Sequence, residues 1–197
     1  MIRFENMENS RCEWCGSSPI YVSYHDEEWG VPEYDSRALW EKLVLDGFQA
    51  GLSWLTILKK RDAFRAAFSG FNPEKVAAFT GADVQRLLGD AGIVRHRGKI
   101  EAAVKGAQAW IALEEKQGFD QFIWDYVNGK PLVNTFEKQD QVPPYSDLSV
   151  RISNDLKKAG FTFCGPTIVY AWMEATGLIN DHLVNCHRYE AVKQLAR

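Results

Sequence analysis

Between Asp35 and Gly177 the apolar residues recur every three or four positions, with little sustained alternation. That period limits the chain to helices, because a helix turns once in about 3.6 residues whereas a strand changes face at every residue. Polar caps, glycines and prolines punctuate the stripes. Asp35 and Ser36 can cap a helix bearing Trp40, Leu43, Val44 and Gly47. Ser53 can cap another carrying Trp54, Ile57, Leu58, Phe64 and Phe68, and Asn72-Pro73 opens a short helix through Val76 and Phe79. Thr80 and Asp83 form a loose capping box before Val84, Leu87 and Leu88. After an interruption at Ala91-Gly92, a longer helix runs through Ile100, Val104, Ala107 and Ile111. A further helix is expected from Asp120 to about Val127, then a loop over 132–146, then helices over 147–159 and 167–177 that stop at Gly160 and Gly177. The chain shows no internal repeat or dividing linker. At 197 residues the expectation is one all-α domain spanning 1–197.

Charge narrows the partners. Acidic residues outnumber basic ones 26 to 23, a net charge of −3, so no general attraction to phosphate polymers exists and any contact with nucleic acid must come from a local patch. The opening MIRFENMENSR is polar and lacks the apolar run of a signal peptide, and no membrane span is visible. The expectation is a cytoplasmic protein whose cysteines serve as thiols or metal ligands.

Cysteine and histidine gather near the two ends: Cys12, Cys15 and His25 at one, His182, Cys186 and His187 at the other. His182 and Cys186 are four apart, which on a helix puts both on one face. Two ligands from each end would make a closed, structural zinc site over about 11–26 and 180–188. Spacing leaves two sets open. Cys12 and Cys15 form a CxxC pair that can join His182 and Cys186, or His25 can replace Cys15. Either full set leaves no position for a metal-bound water, which argues against a third idea, a small-molecule zinc hydrolase.

The segment LLGDAGIVRHRGK, 87–99, joins two amphipathic helices through a turn carrying Gly92, Arg95, His96, Arg97, Gly98 and Lys99. Backbone N–H groups at such a turn can hold a DNA phosphate without reading sequence, the physics of a helix-hairpin-helix over about 82–113. An ordinary helical hairpin with a solvated basic turn is the competing reading.

Taken together, RCEW, YVSYHDEEWGVPEYDS, AGLSWLTILKKR, AGIVRHRGKI, YVNGKP and GLINDHLVNC resemble the bacterial 3-methyladenine DNA glycosylase I family, over about residues 11–187. The resemblance implies a helix-hairpin-helix glycosylase fold closed by one structural zinc on Cys12, His25, His182 and Cys186. It implies an enzyme that hydrolyses the N-glycosidic bond of 3-methyladenine in double-stranded DNA; a monomer is expected, and a monofunctional mechanism because no lysine stands out as a Schiff-base nucleophile. The positive charge of the alkylated base already makes it a good leaving group, so recognition of the flipped base is the harder task. Aromatic faces favour such a cationic ring. By match to the family, Trp54 stacks on the base, Tyr21 and Tyr24 supply ring faces or hydroxyls, Trp14 lines the entrance and Asp46 is the recognising carboxylate. Asp46 and Tyr24 are the expected catalytic pair. Gly92, Arg95, Arg97, Gly98 and Lys99 are the expected backbone contacts to DNA. Trp29 and Trp40 are read as packing, and Glu101 as a helix-dipole residue.

One position departs from the family, whose usual residue where this chain has Asp46 is glutamate. The missing methylene removes about 1.5 Å of reach. Three outcomes follow: altered packing restores the contact, the lesion range shifts, or the fold has lost this activity, in which case a module that binds damaged bases without cutting is the alternative.

Overall fold

The computed structural model describes residues 10–195. Eleven α-helices are present among them: α1 Pro19–Glu27, α2 Ser36–Gln49, α3 Trp54–Leu58, α4 Arg61–Ala67, α5 Pro73–Ala77, α6 Gly81–Gly89, α7 Arg97–Lys116, α8 Phe119–Trp124, α9 Asp147–Lys158, α10 Pro166–Ala175 and α11 Arg188–Lys193. The caps act as their chemistry demands. Asp35 accepts from the Ala38 N–H at 2.8 Å, Asn72 from Lys75 at 2.8 Å and Ser53 from Thr56 at 3.2 Å. The Asp83 carboxylate accepts from both the N–H and the hydroxyl of Thr80.

The core forms around α2, α7 and α10, where Leu39, Trp40, Ile100, Ala107 and Trp172 are wholly buried. Indole N–H groups pin three elements to the stretch that begins α2: Trp172 donates to the Leu39 carbonyl at 2.9 Å, Trp110 to Ser36 at 3.1 Å and Trp124 to Glu33 at 2.8 Å. A buried indole needs such a partner, so each bond fixes a helix orientation that apolar packing alone leaves free. A second, smaller cluster of Cys12, Tyr24, Trp29, Leu58, Leu183 and Cys186 lies where the two ends of the chain meet.

Three expectations are corrected. The helix expected from Trp54 to Phe68 is two, broken at Lys59-Lys60, whose Lys60 side chain reaches away to the carbonyls of Ala91 and Gly92. The expected loop over 132–146 contains a strand, β1 Leu132–Val133, pairing in parallel with β2 Ile179–Asn180, Leu132 opposite Ile179. Two residues are too few to show alternation, and their partners lie far along the chain. His182 and Cys186 are not on a helix but on a turn after β2, closed by the Cys186 N–H on the Leu183 carbonyl at 2.8 Å.

Gly177 makes the passage from α10 to β2 possible. Its φ is +68°, and a Cβ there would lie 2.5 Å from the backbone of Val31 and Pro32. Only glycine fits. The close approach seats the end of α10 against the chain leaving α1. Among the described residues no helix is long and apolar enough to cross a membrane.

Candidate active site and metal centre

Trp14 lies in a 3-10 turn, Glu13–Cys15, just before α1. Tyr21 and Tyr24, three apart on α1, share one helix face. Asp46 comes from the last turn of α2, Trp54 from the first of α3 and Glu174 from the last of α10. All six line one cavity of about 190 Å³. Trp14 meets Tyr21 edge-on at 5.0 Å between centroids, and Tyr24 lies 5.4 Å from Trp54.

The cavity wall carries unspent polarity. Asp46 Oδ2 and the indole nitrogens of Trp14 and Trp54 are buried without a hydrogen-bond partner, three of five such side-chain atoms among the described residues. Buried polar groups are nearly always paired, so three unpaired ones around a single cavity mark a place that a polar ligand completes. Asp46 is 4% exposed, and burial raises its carboxyl to about 8 against a weaker opposing pull from Lys42. Burial, then the nearby Asp46, raises the Tyr24 hydroxyl well above its ordinary value, which keeps it a neutral donor. Burial, then Asp181 and Asp46, likewise raises Glu174.

The candidate metal donors adjoin this wall, with His25 supplied by α1 itself. Cys12, His25, His182 and Cys186 are all buried, and their donor atoms fall within 4.8 Å of one another. Cys12 Sγ is 3.7 Å from His182 Nδ1, while Cys186 Sγ is 3.5 Å from both His182 Nδ1 and His25 Nε2. Bonds of about 2.0–2.3 Å from a tetrahedral ion give donor edges of roughly 3.5 Å, so this group fits a metal ion. The remaining ring nitrogens are held as metal-bound imidazoles require: His25 Nδ1 at 2.8 Å from Asp26 and His182 Nε2 at 3.0 Å from the Trp29 carbonyl. The two thiols in contact separate in acidity. Cys12 rises through its hydrogen bond with Cys186 and through burial, and Cys186 falls through that bond and through the two imidazoles. Cys15 is turned away, its thiol donating to the Cys12 carbonyl at 3.2 Å. The four-donor group contains His25, and the CxxC alternative fails on this geometry.

The basic turn lies between α6 and α7. Arg95 and Arg97 are exposed, and Arg97 and Gly98 open the first turn of α7, where backbone N–H groups lack helical partners. Two expected phosphate contacts are corrected. Lys99 is only 7% exposed, and its ammonium donates to the carbonyls of Phe48 at 2.8 Å and Ala50 at 2.6 Å, so it faces inward. The Gly92 N–H is taken by Asp90 Oδ1 at 2.7 Å. Glu101 pairs with Arg97 at 3.3 Å and does not line the cavity.

A family model described as methyladenine glycosylase matches residues 14–189. The chain belongs to the methyladenine glycosylase family. Within that family it is 48% identical over 184 residues to DNA-3-methyladenine glycosylase 1 of Escherichia coli, covering 93% of this chain and 98% of the relative. It is also 48% identical over 178 residues to DNA-3-methyladenine glycosylase of Haemophilus influenzae, covering 90% and 96%. The solved structure of 3-methyladenine DNA glycosylase I from Staphylococcus aureus, determined for 3-methyladenine recognition, superposes with a TM-score of 0.89 at 43% identity, covering 92% of this chain and 97% of that one. Two further residues line the cavity, Trp29, expected only to pack, and Glu174. Trp29 both packs 4.9 Å from Trp14 and meets His182 at 4.6 Å, so it joins cavity to metal donors. Glu174 is the one charged residue of α10, whereas Asp46 shares α2 with Arg37, Glu41 and Lys42; what the two have in common is an acid set among apolar neighbours.

Proposed function

We propose that this chain is a monofunctional, monomeric glycosylase that hydrolyses the N-glycosidic bond of 3-methyladenine in alkylated double-stranded DNA, in base excision repair. The observation that carries it is the aromatic cavity with an unpartnered buried carboxylate oxygen on its wall. A flipped cationic base between Trp54 and Tyr24 gains from the ring quadrupoles, on the order of 1–2 kcal/mol once desolvated. It also brings N–H groups to Asp46 Oδ2. Trp14 and Tyr21 close the entrance side.

Asp46 and Tyr24 are the residues next to the chemistry. As the bond from C1′ to the base breaks, its electron pair cancels the ring's charge and 3-methyladenine leaves neutral. Water oxygen then bonds to C1′, and one proton passes to solvent. An ionised Asp46 stabilises positive charge on base and sugar as the bond stretches, and the Tyr24 hydroxyl donates without competing for that charge. Among the described residues no lysine lines the cavity, which supports water rather than an enzyme amine as nucleophile.

The helix pair over about 82–113 is the DNA-facing edge of a single domain, gripping phosphate through Arg95, Arg97 and the α7 amides. Cys12, His25, His182 and Cys186 would hold one structural zinc. A zinc so held cross-links the two ends of the chain and fixes the turn that carries Trp14.

The test is release of 3-methyladenine from methylated duplex DNA by the zinc-loaded protein, with abasic sites counted in parallel. Release with matching abasic product is expected. No release from folded protein overturns the reading. Tight lesion binding without abasic product would favour a non-cutting damaged-base sensor, the outcome that the short reach of Asp46 makes worth measuring.

A further inference from the structure

Two acids face the same cavity from different helices, Asp46 on α2 and Glu174 on α10. A base that carries its positive charge into the ring makes its exocyclic amine a strong double donor, and in a dry pocket both N–H bonds need acceptors. Indole nitrogens only donate, so Trp14 and Trp54 cannot help. Asp46 offers Oδ2, on a side chain about 1.5 Å shorter than glutamate.

Glu174 is built to supply the second acceptor. Its backbone carbonyl takes the N–H groups of Gly30 at 3.0 Å and Gly177 at 3.2 Å, which fixes the end of α10. Its carboxyl is hydrogen-bonded to Asp181, itself held by the Tyr170 hydroxyl at 2.6 Å and Asn134 Nδ2 at 2.6 Å. A carboxyl has two oxygens, so the bond to Asp181 leaves a second acceptor on a residue that lines the cavity. Holding a carboxyl in this half-buried place has a cost that a ligand contact offsets in part.

We propose that Glu174 is a second base-reading residue, accepting one N–H of the exocyclic amine of the flipped base while Asp46 accepts the other. This rests on the glycosylase reading and deepens it. The division of labour lets an aspartate serve at position 46, because the amine is held from two sides rather than by one long carboxylate.

The experiment measures binding of free 3-methyladenine, and of the same methylated purine lacking the exocyclic amine, by quenching of tryptophan fluorescence. The native chain prefers the amine-bearing base. In Glu174→Met the affinity for 3-methyladenine falls about tenfold, the equivalent of one hydrogen bond to a charged group, while the amine-free purine changes less than about twofold. Glu174→Gln, whose amide keeps an acceptor for the amine and a donor for Asp181, recovers most of that loss. Equal losses for both purines would show a packing role and overturn the proposal. Should Glu174→Met not fold, Asp46→Ala decides: Glu174 still reads the amine, so a preference of about tenfold persists, and its disappearance would assign the amine to Asp46 alone. Base release from methylated DNA by the native chain is scored separately, so failure of the glycosylase reading is distinct from failure at Glu174.

Discussion

The ammonium of Lys99 lies 2.8 Å from the carbonyl oxygen of Phe48, two residues beyond Asp46. Together with its bond to Ala50 it places a cation on the last carbonyls of α2, where the helix dipole favours positive charge. The hairpin between α6 and α7 is thereby tied to the helix end that carries the pocket carboxylate. Lys99→Met should leave two carbonyls short of a donor, costing about 1–3 kcal/mol of stability, and let the end of α2 shift. Since displacements near 1 Å cost roughly a hundredfold in rate, single-turnover base release should fall at least about tenfold while DNA affinity changes less than about twofold. Equal losses in rate and affinity would return Lys99 to the phosphates.

Salt dependence separates the two kinds of basic residue. A side chain that neutralises a phosphate contributes about 0.9 to the slope of log affinity against log salt concentration. Arg97→Ala and Arg95→Ala should each reduce that slope by about 1, and Lys99→Met should leave it unchanged. The measurement is DNA binding over a salt series for the three variants.

Helices were legible because their starts are chemical: Asp35, Ser53 and Asn72 cap where they stand in the sequence. The pairing of Leu132 with Ile179 was not, because a two-residue strand leaves no period and its stability comes from a distant partner. Lys99 misled for a related reason. A lysine in a basic turn reads as solvated, and only the nearby end of α2 turns it inward. Spacing alone could not choose between Cys15 and His25, because the choice depends on which way Cys15 faces. Asp46 and Glu174 show the most useful signal, an acid set among apolar helix neighbours, and only Asp46 also stands in a motif of the family.

Metal removal tests the joining of the ends. Ligand thiols and imidazoles that close on one ion convert its binding energy into folding energy. Chelation should lower stability by about 3 kcal/mol or more, roughly 10 °C in Tm for a chain of this size. Cys12→Ser and Cys186→Ser should lose stoichiometric metal, whereas Cys15→Ser should keep it, its thiol serving the carbonyls of Cys12 and Gly16. Cobalt substitution gives the readout: tetrahedral absorption in the native chain and in Cys15→Ser, and none in the other two.

Asp46 sets a pH dependence whose sign follows from burial. Its carboxyl is raised to about 8 in the folded protein, far above the ordinary aspartate value of about 4. The folded state therefore holds a proton that the unfolded chain has released, so this group's stability contribution is complete below about pH 4 and lost as pH rises through about 8. Asp46→Asn removes that loss, so its stability relative to the native chain should climb between about pH 4 and pH 8 and level off above. Catalysis runs the other way, because a cationic base calls for the ionised carboxylate. Base release measured as kcat/KM should rise with pH through a midpoint near pH 8 toward a plateau above about pH 9, and Asp46→Asn should abolish the rising limb. Asp46→Glu, longer and nearer the cavity centre, should keep the limb and shift its midpoint down, as more of the carboxylate meets Tyr24 and the indole donors. A native profile flat from pH 5 to pH 9 would remove Asp46 from the charge-bearing role and leave it a neutral hydrogen-bonding group.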